Sequence, residues 1–204
     1  IQNGEKKFFI LFSIYDNKLN LIYSYDKVKL VPFGEFLPFE KVLGSLGLKS
    51  LTNNYHSYSS GVNRDIININ KNKFSLKIIP LICYEIIYSG EISKDNKFDY
   101  IINISEDGWF GNSIGPYQHY AHSIFRAIES GKYIIRSANN GITAIINPIG
   151  KDEKKILLGK DGYIDFKEKR IAEITVFSKF GNKIFFVMIL LYIFLIFSFN
   201  RKSK

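Results

Sequence analysis

A single cysteine, Cys83, follows directly on the apolar run Leu76–Ile82 and is itself followed by Tyr84 and Glu85. A thiol at the carboxyl end of a buried strand can act as a nucleophile if a neighbour lowers its pKa or takes its proton. Active residues of α/β folds gather at such strand ends. The same position also suits an inert, packed thiol. A second chemically dense segment, Tyr25-Asp26-Lys27-Val28-Lys29-Leu30-Val31-Pro32-Phe33-Gly34-Glu35, closes an earlier apolar run. Trp109 and Phe110 follow a third such run, where they can stack on an acyl chain or headgroup or fill a core. His119 and His122 stand three apart on one helix face, but the sequence offers no third ligand beside them, so no metal site is expected.

These residues need a scaffold, and the chain can supply one. Phe8–Ile14 and Leu19–Tyr25, joined by the polar Tyr15-Asp16-Asn17-Lys18, read as a β-hairpin. Further strands are expected at Leu76–Cys83, Tyr100–Ile104, Tyr133–Ala138, Ile142–Asn147 and Ile171–Phe177. Several are apolar at consecutive positions, as expected of strands covered on both faces. A helix is expected from Pro116 to the cap Gly131, with Tyr117, Tyr120, Ala121, Ile124, Ala127 and Ile128 on its inner face and His119, Arg126 and Glu129 on the other. Strands with an intervening helix make a layered α/β architecture. Phe36–Val62 reads either as a short core helix and surface loop or as a mobile lid with apolar residues for lipid.

The chain's 204 residues suit one domain, or one domain with an appendage, and 46 % hydrophobic against 23 % charged residues exclude wholesale disorder. One cysteine excludes an intramolecular disulfide and a multi-thiolate zinc centre. The formal charge of +9 is spread along the chain, only five of its 28 basic residues are arginine, and nucleic-acid binding is not expected. Ile184–Phe199 carries no charge and is followed by Arg201, Lys202 and Lys204. It reads as a transmembrane helix with a cytoplasmic basic tail, the preceding domain lying on the other side; a buried core helix is the alternative.

Cys83-Tyr84-Glu85 taken with the Lys27–Glu35 segment resembles the nitrilase superfamily, whose members use a Glu, Lys, Cys triad. Asn103-Ile104-Ser105-Glu106-Asp107-Gly108-Trp109-Phe110-Gly111, Gly115-Pro116-Tyr117-Gln118-His119, Arg126-Ala127-Ile128-Glu129 and Arg136-Ser137-Ala138-Asn139-Asn140-Gly141-Ile142-Thr143 are similar to the bacterial apolipoprotein N-acyltransferases. The resemblance covers about residues 1–199. It implies an α-β-β-α sandwich over 1–178, incomplete at its N-terminus, and a membrane helix with basic tail over 179–204. It implies an inner-membrane enzyme with a periplasmic catalytic domain. The family moves an acyl chain from a phospholipid to the amine of the diacylglyceryl-modified N-terminal cysteine of an apolipoprotein, through a thioester and without metal or cofactor.

Carried over residue by residue, the resemblance makes Cys83 the nucleophile and Lys27 the oxyanion-stabilising lysine, with Lys29 the competing choice. Glu35 becomes the second carboxylate that orients the lysine, and Tyr84 and Glu85 shape the substrate pocket, Glu85 having a buried ion pair as its alternative. Arg126, Glu129, Arg136 and Asn140 read as scaffold. Two departures stand out. The family's general-base glutamate lies well upstream of the lysine, and Glu5 does not match it, so the chain is expected to be part of a longer, active parent. Glu106 occupies a position where the family more often has a neutral side chain. The competing readings are a membrane-anchored nitrilase-type amidohydrolase, and an inactive remnant or binding module lacking the triad glutamate.

Overall fold

The computed structural model describes residues 7–45, 47, 57–71, 74–92, 97–167 and 174–202. Leu11–Tyr15 (β1) and Leu21–Asp26 (β2) form an antiparallel hairpin. Asp16 builds its turn by accepting the backbone N–H groups of Lys18 and Asn20, both at 2.8 Å. A six-stranded sheet follows the order Ile67–Lys71 (β3), Phe74–Ile82 (β4), Tyr100–Glu106 (β5), Tyr133–Asn139 (β6), Thr143–Ile146 (β7) and Asp152–Ile156 (β8). Strands β4, β5 and β6 are parallel, and the flanking pairs are antiparallel.

The consecutive apolar residues of the central strands alternate between two cores. Ile79, Leu81, Ile101 and Ile134 pack with Tyr120 and Ala127 of the helix Gly115–Ser130, which follows the six-residue helix α1 (Glu40–Ser45) as α2. Ile78, Ile82, Tyr100 and Tyr133 face the other way, onto Phe12 and Tyr25 of the hairpin. The described layers are therefore helix, sheet, sheet. Each fully buried isoleucine contributes on the order of 1.5–3 kcal/mol, which fixes the strand register and, with it, what stands at the strand ends.

Two expectations about these elements need correction. The described part of Ile171–Phe177 is not a strand: Thr175 caps a short helix, Val176–Phe180 (α3), by accepting the Ser178 N–H at 2.9 Å, while Ile171–Glu173 lie outside the described residues. The inner face of α2 is also more polar than its apolar spacing predicts. His119, Ser123 and Arg126 are buried, whereas Tyr117 and Ile128 are exposed, because the buried side chains join a hydrogen-bonded network under the sheet. The C-cap is as read, with Gly131 in the left-handed region at φ 66°.

The last helix, α4 (Lys183–Lys202), follows the turn at Gly181 and exposes apolar side chains on every face from Phe185 to Phe199. Among the described residues no helix is long and apolar enough to cross a membrane. Of the 36–62 stretch, residues 46 and 48–56 fall outside the described residues. Its described end is tied down, with the Tyr58 N–H on the Glu35 carbonyl and the Ser59 N–H on the Phe8 carbonyl.

Candidate active site

Parallel register sets three strand ends side by side. Ile82 of β4 pairs with Ile104 of β5, and Glu106 of β5 pairs with Asn139 of β6. Cys83, Ser105, Glu106 and Asn139 thereby come to one edge of the sheet, the edge where α/β folds place ligands. Cys83 opens a 3-10 turn, Cys83–Ile87, with a backbone φ of 51°. That left-handed conformation is uncommon for a side chain with a Cβ.

The hairpin supplies the other wall. Directly after β2, the Lys27 backbone N–H bonds the Ile10 carbonyl, and the Gly61 N–H bonds the Lys27 carbonyl. Gly61 must be glycine here, since a Cβ would stand 2.2 Å from the Asp26 carbonyl oxygen. The buried Lys27 ammonium donates to Glu35 Oε1 at 2.5 Å. Glu35 Oε2 accepts the Val31 N–H at 2.9 Å while the Glu35 N–H returns to the Val31 carbonyl. This closed turn holds the carboxylate, and the carboxylate holds the lysine.

Cys83, Lys27, Glu35, Tyr84, Trp109 and Phe110 all line one cavity of about 750 Å3, whose remaining walls include Ile10, Leu11, Val31, Ile82 and Ile104. Lys29, the competing lysine, is elsewhere: its ammonium pairs with Glu91 at 3.1 Å and lies over the Tyr88 ring.

Glu85 does not line this cavity, contrary to its expected place in the substrate pocket. It is fully buried beneath it. Its Oε1 accepts Tyr25 Oη at 2.7 Å, the Val28 and Lys29 N–H groups, and Arg64 Nη2 at 2.9 Å; its Oε2 accepts the Ile82 N–H. The side chain thus fastens the lysine segment to the cysteine turn, and the buried ion pair is with Arg64. Burial, then the adjacent Glu85 charge, pushes the Tyr25 phenol well above its ordinary pKa.

A second buried network supports Cys83 from below. His119 Nε2 lies 3.2 Å from the Cys83 carbonyl, and its Nδ1 lies 2.9 Å from Asp107 Oδ1. Asp107 also accepts Ser105 Oγ at 2.6 Å and Arg136 Nη2 at 2.7 Å, and Arg136 continues to Asn103 and the Ile142 carbonyl. Burial raises the Asp107 carboxyl, but the His119 hydrogen bond and the Arg136 charge outweigh it and hold the group below its ordinary value. His122 points away, against Phe125. Among the described residues no group of three His, Cys, Asp or Glu side chains could hold a metal ion. Arg126 pairs with Glu129 at 2.6 Å and bonds the Ile87 carbonyl, holding the turn after Cys83.

The cavity walls that spacing alone did not single out include Tyr58, Val31, Ser105 and Glu106. For Ser105 and Glu106 the signal was present, because they end a strand parallel to the one that ends at Cys83. The profile of the carbon–nitrogen hydrolase family matches residues 9–160. The chain belongs to that family. It is 41 % identical over 194 residues to an apolipoprotein N-acyltransferase of Rickettsia typhi, with 93 % of this chain and 37 % of that protein aligned. It is 44 % identical over 183 residues to the enzyme of the same name from Rickettsia bellii, with 89 % and 35 % aligned. The chain therefore spans about a third of the length of these curated relatives. Among solved structures, an amidase from Nesterenkonia sp. overlaps it with a TM-score of 0.48 at 14 % identity, covering 72 % of this chain and 50 % of that one.

Proposed function

We propose that this carbon–nitrogen hydrolase family member transfers an acyl chain from a phospholipid to the N-terminal cysteine amine of an apolipoprotein, through a thioester on Cys83. The observation that carries the reading is the meeting of a strand-end thiol with a buried, carboxylate-held lysine in one cavity with largely apolar walls. Cys83 Sγ attacks the ester carbonyl, and the oxyanion forms against the Lys27 ammonium, which Glu35 keeps in place. The C–O bond breaks, the lysophospholipid leaves as an alcohol, and the acyl group stays on sulfur. The acceptor amine then attacks the thioester, forms the amide and returns the thiol. In the family pattern the thiol proton goes to a glutamate well upstream of Lys27. Glu35 is committed to Lys27 and the Val31 amide, so it serves as the orienting carboxylate. Tyr84, Trp109 and Phe110 contact the acyl donor.

The relatives named apolipoprotein N-acyltransferase support a lipid donor, and the exposed apolar surface of α4 supports a membrane setting. We place α4 in the bacterial inner membrane, the catalytic domain on the periplasmic side and the basic tail in the cytoplasm. Ile184–Phe199 spans about 24 Å at ~1.5 Å per residue, less than a hydrocarbon core of about 30 Å. Lys183, at the first turn of the helix, therefore extends its charge to the nearer interface.

The test is the intermediate. Protein expressed from its natural gene is incubated with phospholipid vesicles, quenched in acid and weighed intact. An acyl adduct on Cys83 that neutral hydroxylamine removes is expected, and none in Cys83→Ser. Adduct formation that survives Cys83→Ser would defeat the assignment. Adduct that decays to free fatty acid at the same rate with and without an amine acceptor would make the protein a hydrolase.

A further inference from the structure

The charges of the cavity do not balance. Lys27 and Glu35 neutralise each other across 2.5 Å. Glu106 lines the same cavity, and among the described residues no cation forms an ion pair with it. Its two oxygens are held but not used up. Oε1 accepts the Gly108 N–H at 2.8 Å, capping the turn Asp107–Phe110, and Oε2 accepts the Asn139 side-chain amide. A carboxylate has about four acceptor sites, so each oxygen keeps one lone pair for a ligand. The same cavity wall carries Trp109, which is 74 % exposed. An indole and an uncompensated carboxylate at one cavity are the pair of groups that recognise an organic cation. A cap alone requires no carboxylate, since Asn, Ser or Thr accept the same N–H without adding charge.

We propose that Glu106 is a specificity-determining residue that binds the ammonium group of a substrate at the cavity, with Trp109 packed against the adjoining alkyl chain or the cation itself. The assignment of that cation as substrate rests on the acyl-transfer reading. Its chemistry, a primary alkylammonium, is shared by the aminoethyl headgroup of a phospholipid donor and by the N-terminal amine of the acceptor.

Trp109 is the chain's one tryptophan, so its emission reports on the cavity. The 204-residue chain in neutral detergent is titrated with dodecylammonium and, separately, with dodecanol. Wild-type protein is expected to bind the ammonium at least about tenfold more tightly, a difference of ~1.4 kcal/mol. Glu106→Gln is expected to abolish the preference while leaving dodecanol binding unchanged, and Glu106→Asp to retain part of it. If Glu106→Gln does not fold by circular dichroism, Glu106→Asn, which keeps the cap, takes its place. Equal affinities in wild type, or a preference that survives neutralisation, overturns the proposal.

Two further arms use protein expressed from its natural gene and separate the sources. Thioester formation on Cys83 is compared between phosphatidylethanolamine and phosphatidylglycerol vesicles; a preference for the former that Glu106→Gln erases assigns the donor headgroup. An unchanged donor preference with a raised KM for an amine acceptor peptide assigns the acceptor. If neither step responds although dodecylammonium binding does, Glu106 does not set substrate specificity and the proposal fails. If wild-type protein forms no thioester at all, the acyl-transfer reading is lost, and the alkylammonium titration alone decides whether Glu106 is a cation site.

Discussion

His119 Nε2 lies 3.2 Å from the carbonyl oxygen of Cys83, and the opposite ring nitrogen lies 2.9 Å from Asp107. The imidazole thereby ties the backbone of the thiol-bearing residue to the buried Asp107–Arg136 pair. His119→Ala is expected to lower stability by about 1–3 kcal/mol, the cost of buried groups left without a partner. It should also slow Cys83 acylation about tenfold or more, since a small misplacement of a reacting atom is expensive. Urea unfolding measures the first effect and single-turnover adduct formation the second. A stability loss with no change in acylation rate would make His119 purely a fold residue.

The Cys83 φ of 51° carries its own prediction. A left-handed conformation costs a residue with a Cβ roughly 1–2 kcal/mol, and glycine avoids that cost. Cys83→Gly should therefore be more stable than Cys83→Ala by about 1 kcal/mol, the reverse of the order in a strand or helix interior. Thermal unfolding of the two variants decides it, and alanine matching or exceeding glycine would mean that the turn is unstrained.

How far the sequence alone reached depends on what kind of force placed each residue. The central strands β4, β5 and β6 were legible because burial on both faces demands continuous apolar runs, and Ile78, Ile79, Leu81 and Ile82 supply one. The edge strands β3 and β8 were not. Asn68, Asn70 and the sequence Asp152–Lys155 carry no such pattern, and sheet edges favour charge and polarity, which look like loop. Likewise the buried face of α2 was misread because His119 and Arg126 are covered by virtue of partners on the turn Asp107–Phe110, on β6 and on the cysteine turn, all outside the helix. Lys27 and Lys29 are indistinguishable by type; only the hairpin's end, which turns one inward and the other toward Glu91, separates them.

Asp107 predicts an acid limit. Its carboxyl is held below the ordinary value of 3.8 in the folded protein, burial being outweighed by the His119 hydrogen bond and the Arg136 charge. Between the folded and unfolded values the unfolded chain binds more protons, so stability rises with pH there. The contribution is complete above pH 3.8 and is lost as pH falls through the lower, folded value. Asp107→Asn should flatten the acid side of a stability profile taken between about pH 5 and 2 by urea unfolding. At neutral pH it should also cost about 3–5 kcal/mol, because it leaves the buried Arg136 guanidinium without its anion. An unchanged acid slope in the variant would assign the acid sensitivity to other carboxylates.

The two lysines offer the sharpest separation of scaffold from chemistry. Lys27 is buried against Glu35 in the cavity that holds Cys83, whereas Lys29 lies half-exposed beside Glu91. An exposed pair contributes on the order of 0–1 kcal/mol, so Lys29→Ala should leave acylation within about twofold and stability nearly unchanged. Lys27→Ala removes the only cation placed to meet an oxyanion among the described cavity residues, and strands the Glu35 carboxylate. Loss of one oxyanion donor costs about 10²–10³ in rate, and loss of a full charge from the cavity that holds the thiol should cost more. Lys27→Met, which keeps the side-chain volume, isolates that electrostatic loss from any packing loss. Adduct formation on Cys83 at saturating donor is the readout, with Glu35→Gln as a milder companion that keeps the ammonium but loosens it. If Lys27→Met acylated as fast as Lys29→Ala, the oxyanion would be met by another group and the role given to Lys27 would be wrong.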